Sequence, residues 1–102
     1  MRLKNRIVIK IVFSKTASKN LITLAKYIFE QSKNEKIADR YLDDMKNFII
    51  EILSHFPKSG RPSEELAPHT RKLVYKGYSI IYKIKTSQID ILVIFRENIP
   101  KL

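Results

Sequence analysis

The 102-residue sequence predicts an α+β domain: a helical hairpin packed on one face of a four-stranded, mainly antiparallel sheet, in the order β-α-α-β-β-β. Three observations carry that prediction. Between Ser14 and His55 the apolar residues recur at steps of three and four, interrupted only around "QSKNE" at 31–35. Three prolines and a glycine then break the chain in "FPKSGRPSEELAP", 56–68. Beyond them the apolar residues form short β-branched and aromatic runs, separated by turns tight enough for an antiparallel meander.

The first element is "IVIKIVF", 7–13, whose composition is that of a strand. Ser14 and Thr16 can cap the helix that follows, with Ala17, Leu21, Leu24, Ala25, Ile28 and Phe29 on one face. A second helix runs from about Lys36 to His55. Ile37, Ala38, Tyr41, Leu42, Met45, Phe48, Ile49, Ile52 and Leu53 make its apolar stripe, and Asp39, Arg40, Asp43, Asp44, Lys46, Asn47 and Glu51 its polar side. The short connection predicts antiparallel helices. Three strands follow, at about 70–75, 78–85 and 89–96, with turns at Lys76-Gly77 and at "KTSQ", 85–88. The tail "ENIPKL" is too short for another element. This order excludes an RNA-recognition motif, a double-stranded-RNA domain and a helix-turn-helix.

Length places the chain as one domain over 1–102, able to bury a core without staples. The net charge is +10, which implies an anionic partner such as nucleic acid, an acidic protein or a membrane surface, or else a surface that is merely basic. There is no cysteine, hence no thiol nucleophile or disulfide, which fits a reducing, cytoplasmic setting. The longest apolar run, "ILVIF" at 91–95, falls far short of the ~20 residues of a membrane-spanning helix. The N-terminus is positive and then apolar, but Lys10 interrupts the apolar part and no small-residue cleavage site follows.

Catalytic patterns are missing from the sequence. Only two glycines occur, so there is no phosphate loop, and no His/Asp/Glu spacing suits a metal or calls for a cofactor. Asp43 and Asp44 are adjacent and diverge. His55 suits a helix C-terminus, and His69 is either an exposed loop histidine or a general base. The sheet is more informative. Alternation puts Tyr78, Ile80, Tyr82 and Ile84 on one face, with Ser79, Ile81, Lys83 and Lys85 on the other. In the last strand it puts Ile89, Ile91, Val93 and Phe95 on one face and Leu92 and Ile94 on the other, so that Arg96 points away from the face Phe95 buries. Two helices cover one face only. A second face bearing Ile81, Leu92 and Ile94 is then either an open apolar patch suited to a protein partner or is covered by the proline-rich loop.

Four segments, spanning nearly the whole chain, resemble the RelE/ParE superfamily of bacterial toxins. They are "SKTASKNLITLAKYI", "ILSHFPKSGRPSEEL" with its Pro-x-x-Gly-x-Pro loop, the hairpin "TRKLVYKGYSIIYKI", and "IDILVIF". The resemblance implies a toxin of a type II toxin–antitoxin pair, with the RelE/ParE-like fold. RelE-type members cut messenger RNA on the ribosome; ParE-type members inhibit DNA gyrase. RNA cleavage needs groups that activate the 2′-hydroxyl, stabilise the phosphate and protonate the leaving oxygen. In RelE-like sequences an arginine follows the hairpin's Gly-Tyr, where this chain has Ser79, and a basic segment follows the last strand, where this chain has only "ENIPKL" after Arg96. Lys72 could match one RelE-type lysine. The resemblance is therefore closer to ParE-type toxins, with no catalytic residue, and with a ribosome-dependent endoribonuclease, or a toxin fold without toxicity, as the alternatives.

What this implies about partners is a cognate acidic antitoxin, a toxin–antitoxin hetero-oligomer, DNA gyrase as target (in the alternative, ribosome and mRNA), and no membrane. The residues it singles out for contact with partner or target are Arg71, Lys72, Arg96, Asn98 and Lys101, with Ile81, Leu92 and Ile94 facing the antitoxin. Arg71 could equally pair with Glu64 or Glu65 inside the domain, and Tyr82 reads as a core residue.

Overall fold

The computed structural model describes residues 9–97. Its elements are β1 (Lys10–Phe13), α1 (Lys15–Ser32), α2 (Glu35–His55), β2 (Arg61–Pro62), β3 (Arg71–Tyr75), β4 (Tyr78–Ile84) and β5 (Gln88–Arg96). The sheet has five strands in the order β1-β5-β4-β3-β2, with β1 parallel to β5 and the other pairs antiparallel. The α+β class, the helical hairpin and the meander agree with the sequence. The fifth strand is the difference: two residues of the proline-rich loop, Arg61 and Pro62, pair with β3 at the edge of the sheet. Residues 7 and 8 of the predicted first strand, and the tail after Glu97, lie outside the described residues.

Local chemistry sets the element ends. Ser14 is the N-cap of α1; its Oγ accepts from the Ala17 N–H at 2.9 Å and donates to the Leu92 carbonyl at 2.9 Å, tying the helix start to β5. Lys33 closes α1 in the left-handed conformation, and Asn34 at once caps α2, its Oδ1 accepting from the N–H groups of Lys36 and Ile37. Two residues thus reverse the chain. At the hairpin tip Lys76 and Gly77 both have positive φ, 47° and 86°, as the two central residues of a type I′ turn require.

The core lies between the helices and one face of the sheet. Ala17, Leu21 and Leu24 of α1 and Met45, Ile49 and Leu53 of α2 pack against Leu73, Ile80, Tyr82, Ile89, Ile91 and Ile94. Burying each large aliphatic side chain contributes about 1.5–3 kcal/mol.

Ile94 belongs to this helix-side core, contrary to simple alternation. The register steps from Ile81↔Val93 to Tyr82↔Ile91, so Leu92 is an extra residue, a β-bulge. One extra residue reverses the parity of everything after it. Ile94 turns inward opposite Ile80, while Phe95 turns to the outer face opposite Ser79 and is 37% exposed. Arg96 then shares the helix side with Tyr78. Ile81 does lie on the outer face, but it is buried, and Leu92 is half-buried at the bulge. Of the two readings of Ile81, Leu92 and Ile94, the open apolar patch is therefore not what these residues form.

Candidate functional site

The hairpin of β3 and β4 puts its charged and aromatic residues into three settings. The first is structural. Arg71 and Tyr82 are directly opposite across the strands, and both reach the loop after α2. The Tyr82 hydroxyl donates to the Pro57 carbonyl at 2.7 Å and accepts from the Gly60 N–H at 2.9 Å, with the side chain fully buried. Arg71 donates through Nε to the Gly60 carbonyl at 2.8 Å and through Nη2 to the Lys58 carbonyl at 3.2 Å. Only glycine fits at position 60: a Cβ there would stand 2.6 Å from the Lys72 carbonyl oxygen and 2.8 Å from the Tyr82 ring. Arg71 therefore pairs with neither Glu64 nor Glu65. Glu65 lies 3.5 Å from Arg61, and Glu64 accepts the His69 N–H. The proline–glycine loop and the Arg–Tyr hairpin are one unit, holding β2 against β3.

The second setting is on the outer face. Glu97, just past β5, is fixed by its N–H to the Gly77 carbonyl at 2.8 Å. Its carboxylate accepts from Lys72 Nζ at 3.0 Å and from the Ser79 hydroxyl. The Ser79 bond and the Lys72 charge hold the Glu97 carboxyl below its ordinary range, so it is ionised at neutral pH. Ser79 is fully buried and the Lys72 side chain is only 12% exposed. Lys72, Glu97 and Ser79 thus form a closed cluster.

The third setting is on the helix side, at the same end of the sheet. Tyr41 of α2 meets the rings of Tyr75 and Tyr78 edge-on at 6.5 and 6.4 Å, and Phe48 packs on Tyr75 at 4.7 Å. The Lys76 ammonium stands over the Tyr41 and Tyr75 rings at 5.8 and 5.4 Å. Arg96 lies over the Tyr27 ring of α1 at 5.2 Å and donates to the Tyr27 hydroxyl at 2.8 Å. That bond and the neighbouring tyrosines raise the affinity of Arg96 for its proton. Burial pushes the hydroxyls of Tyr41 and Tyr78 above the ordinary tyrosine range, so both remain protonated donors. Beside Arg96 a cleft of about 300 Å³ opens between α1 and the end of β5. Asn20 is on its wall, its Oδ1 taken by the Ile94 N–H at 2.9 Å.

The structure thus separates the residues singled out in the sequence. The Lys72 ammonium reaches Glu97, next to Arg96 in sequence, on the opposite face of the sheet. Arg71 pairs with Tyr82, four positions along β4 from the partner of Arg96, or ~13 Å at the usual strand rise. Asn98 and Lys101 lie outside the described residues. Glu97, Tyr27 and Tyr41 were not anticipated. Of these, Tyr41 had a signal, since it sits in the apolar stripe of the second helix and so had to meet the sheet.

Among the described residues no cluster of His, Cys, Asp or Glu could hold a metal ion, and no helix is long and apolar enough to cross a membrane. No curated protein sequence matches the chain. Among solved structures, the fold is similar to a chain of the chromosomal ParDE toxin–antitoxin system of P. aeruginosa, with a TM-score of 0.76 and 21% identity, covering 91% of this chain and 100% of that one. It is also similar to a chain of the RelBE2 toxin–antitoxin complex of Mycobacterium tuberculosis, with a TM-score of 0.67 and 20% identity, covering 89% of this chain and 100% of that one. The family described as the ParE toxin of the type II toxin–antitoxin system parDE matches residues 11–98, from β1 past the end of β5, and the chain belongs to that family.

Proposed function

We propose that this ParE-type toxin inhibits DNA gyrase when free, acts in the cytoplasm, and is neutralised in a hetero-oligomer with an acidic antitoxin. The observation that carries the choice of target is the Lys72–Glu97–Ser79 cluster. Cleaving RNA at neutral pH requires a cation free to stabilise the pentavalent phosphate and a group able to move a proton. Here the lysine is bound to a carboxylate 3.0 Å away, the carboxylate is held well below neutrality, and the position after Gly77-Tyr78 is a buried serine. The partner reading is supported by the net charge of +10, which steers an acidic chain electrostatically.

Two assays on the purified protein test this. Added to gyrase and relaxed plasmid, it inhibits supercoiling in proportion to its concentration. Added to ribosomes translating a defined transcript, it leaves the transcript ends unchanged. Codon-linked cuts at a low toxin-to-ribosome ratio would replace the gyrase reading with ribosome-dependent cleavage.

A further inference from the structure

The cleft beside Arg96 combines three properties found together nowhere else among the described residues. Its floor is apolar, from Leu24 and Ile94, both nearly fully buried. Its rim holds a guanidinium already oriented by the Tyr27 ring and hydroxyl, so little freedom remains to be lost when a ligand binds. That guanidinium has no carboxylate partner among the described residues. Thr23 and Tyr78 add hydroxyls at the margin.

We infer that this cleft is a docking site for an acidic segment of the antitoxin, which seats an aliphatic side chain on Leu24 and Ile94 and places a carboxylate on Arg96. A volume of about 300 Å³ suits one or two aliphatic side chains. A fixed guanidinium at the edge of an apolar floor suits a carboxylate next to such a residue, since its planar fork takes both oxygens. Nucleic acid fits less well. The cationic groups here lie over ring faces that a base would need for stacking, and the floor offers hydrocarbon rather than a row of charges for a backbone. The Lys76 ammonium over Tyr41 and Tyr75 adds attraction for further acidic residues of the same segment.

The antitoxin as source rests on the partner reading above, whereas the test uses a synthetic probe and no gyrase. A fluorescein-labelled peptide, Ser-Glu-Glu-Leu-Leu-Glu-Glu-Ser, is titrated with the full chain and followed by anisotropy. Arg96→Gln removes the anion partner. Thr23→Trp fills the cleft from an exposed position on α1. Each is expected to weaken binding on the order of tenfold or more, the usual effect of losing a charge-assisted contact or an apolar seat. Tyr27→Phe, which keeps the ring and loses only the hydrogen bond, weakens it by a few fold. A peptide with glutamine in place of glutamate binds at least about tenfold more weakly. Melting curves confirm that the variants are folded. Equal binding by wild type and both Arg96→Gln and Thr23→Trp overturns the site. So does a single-stranded oligonucleotide of matched charge that binds more tightly than the peptide with the same sensitivity to those variants, because nucleic acid is then the occupant. Loss of the cleft leaves gyrase inhibition standing, and failure of the supercoiling assay leaves the cleft standing.

Discussion

Replacing Tyr82 by Phe removes one oxygen and should cost more than its size suggests. Among the described residues the hydroxyl is the one side-chain partner of the Gly60 N–H, and Gly60 is itself buried. It also satisfies the Pro57 carbonyl at 2.7 Å. A net hydrogen bond contributes about 0.5–1.5 kcal/mol, and a buried donor left without a partner costs about 1–3 kcal/mol. The Gly60 amide cannot swing out to water, because the Lys72 carbonyl and the Tyr82 ring are packed against its Cα. A loss of about 2–3 kcal/mol is expected, and at 4–8 °C per kcal/mol for a domain of this size that is a fall of roughly 8–24 °C in Tm. Arg71→Ala should cost about 1–3 kcal/mol, since it frees the Gly60 and Lys58 carbonyls. The two changes act on the same five-residue loop, so the double variant should lose less than the sum of the singles. Urea unfolding followed by circular dichroism gives all four stabilities, and hydrogen exchange at the Gly60 amide shows whether the loop has opened. If Tyr82→Phe melts within about 2 °C of wild type, the hydroxyl does not hold the loop and the account of the hairpin is wrong.

Gly60→Ala should destabilise by about 1–3 kcal/mol or more, read in the same urea experiment, because its methyl would meet backbone rather than a flexible side-chain end. Ser14→Ala removes both the α1 cap and a bond to the Leu92 carbonyl, and should lower the stability read from urea unfolding by about 0.5–2 kcal/mol. Acid should weaken the fold. Glu97 and Asp90 are held below 4.5 and 3.8, Glu97 chiefly by the Ser79 bond and Asp90 chiefly by Lys85. Their contributions are thus fully present above those ordinary values and are lost as pH falls through the lower folded ones. Urea midpoints from pH 6 to pH 3 should therefore fall, and Glu97→Gln should flatten the fall; an unchanged profile in that variant would show that Glu97 is not part of it.

The helices and the hairpin were legible because their signals are local. The apolar steps from Ala17 to Phe29 and from Ile37 to Leu53 lie within single segments, and Lys76-Gly77 allows the left-handed φ values that its turn needs. The Leu92 bulge was not legible. In "IDILVIF" nearly every residue is apolar, so the pattern carries no parity to show where an extra residue enters. Strand β2 was hidden because two residues, one of them proline, make no strand pattern; they are held at the edge by the Tyr82 and Arg71 bonds before them and the Ser63–Thr70 bonds after them. The partners of Arg71 were hidden for a related reason. They are backbone carbonyls, which every residue has, so side-chain identity suggested only Glu64 and Glu65. The Arg96–Tyr27 contact joins residues 69 apart in sequence, and its only hint was that an arginine ends an otherwise apolar strand.

The sheet order has a consequence for how the protein comes into being. Strand β5 lies between β1 and β4, and its Ile89, Ile91 and Ile94 are central to the core. Of the described strands, the first therefore has its hydrogen-bonded neighbour in the last to be synthesised. A nascent chain that has made both helices and the hairpin still has β1 without its partner and the helix-side apolar face without its centre. Contacts this far apart in sequence form late and fold slowly. A chain cut short before Gln88, by premature termination or by proteolysis during translation, lacks the strand that would join the rest. Any function that depends on the folded domain then begins only after β5 has been made.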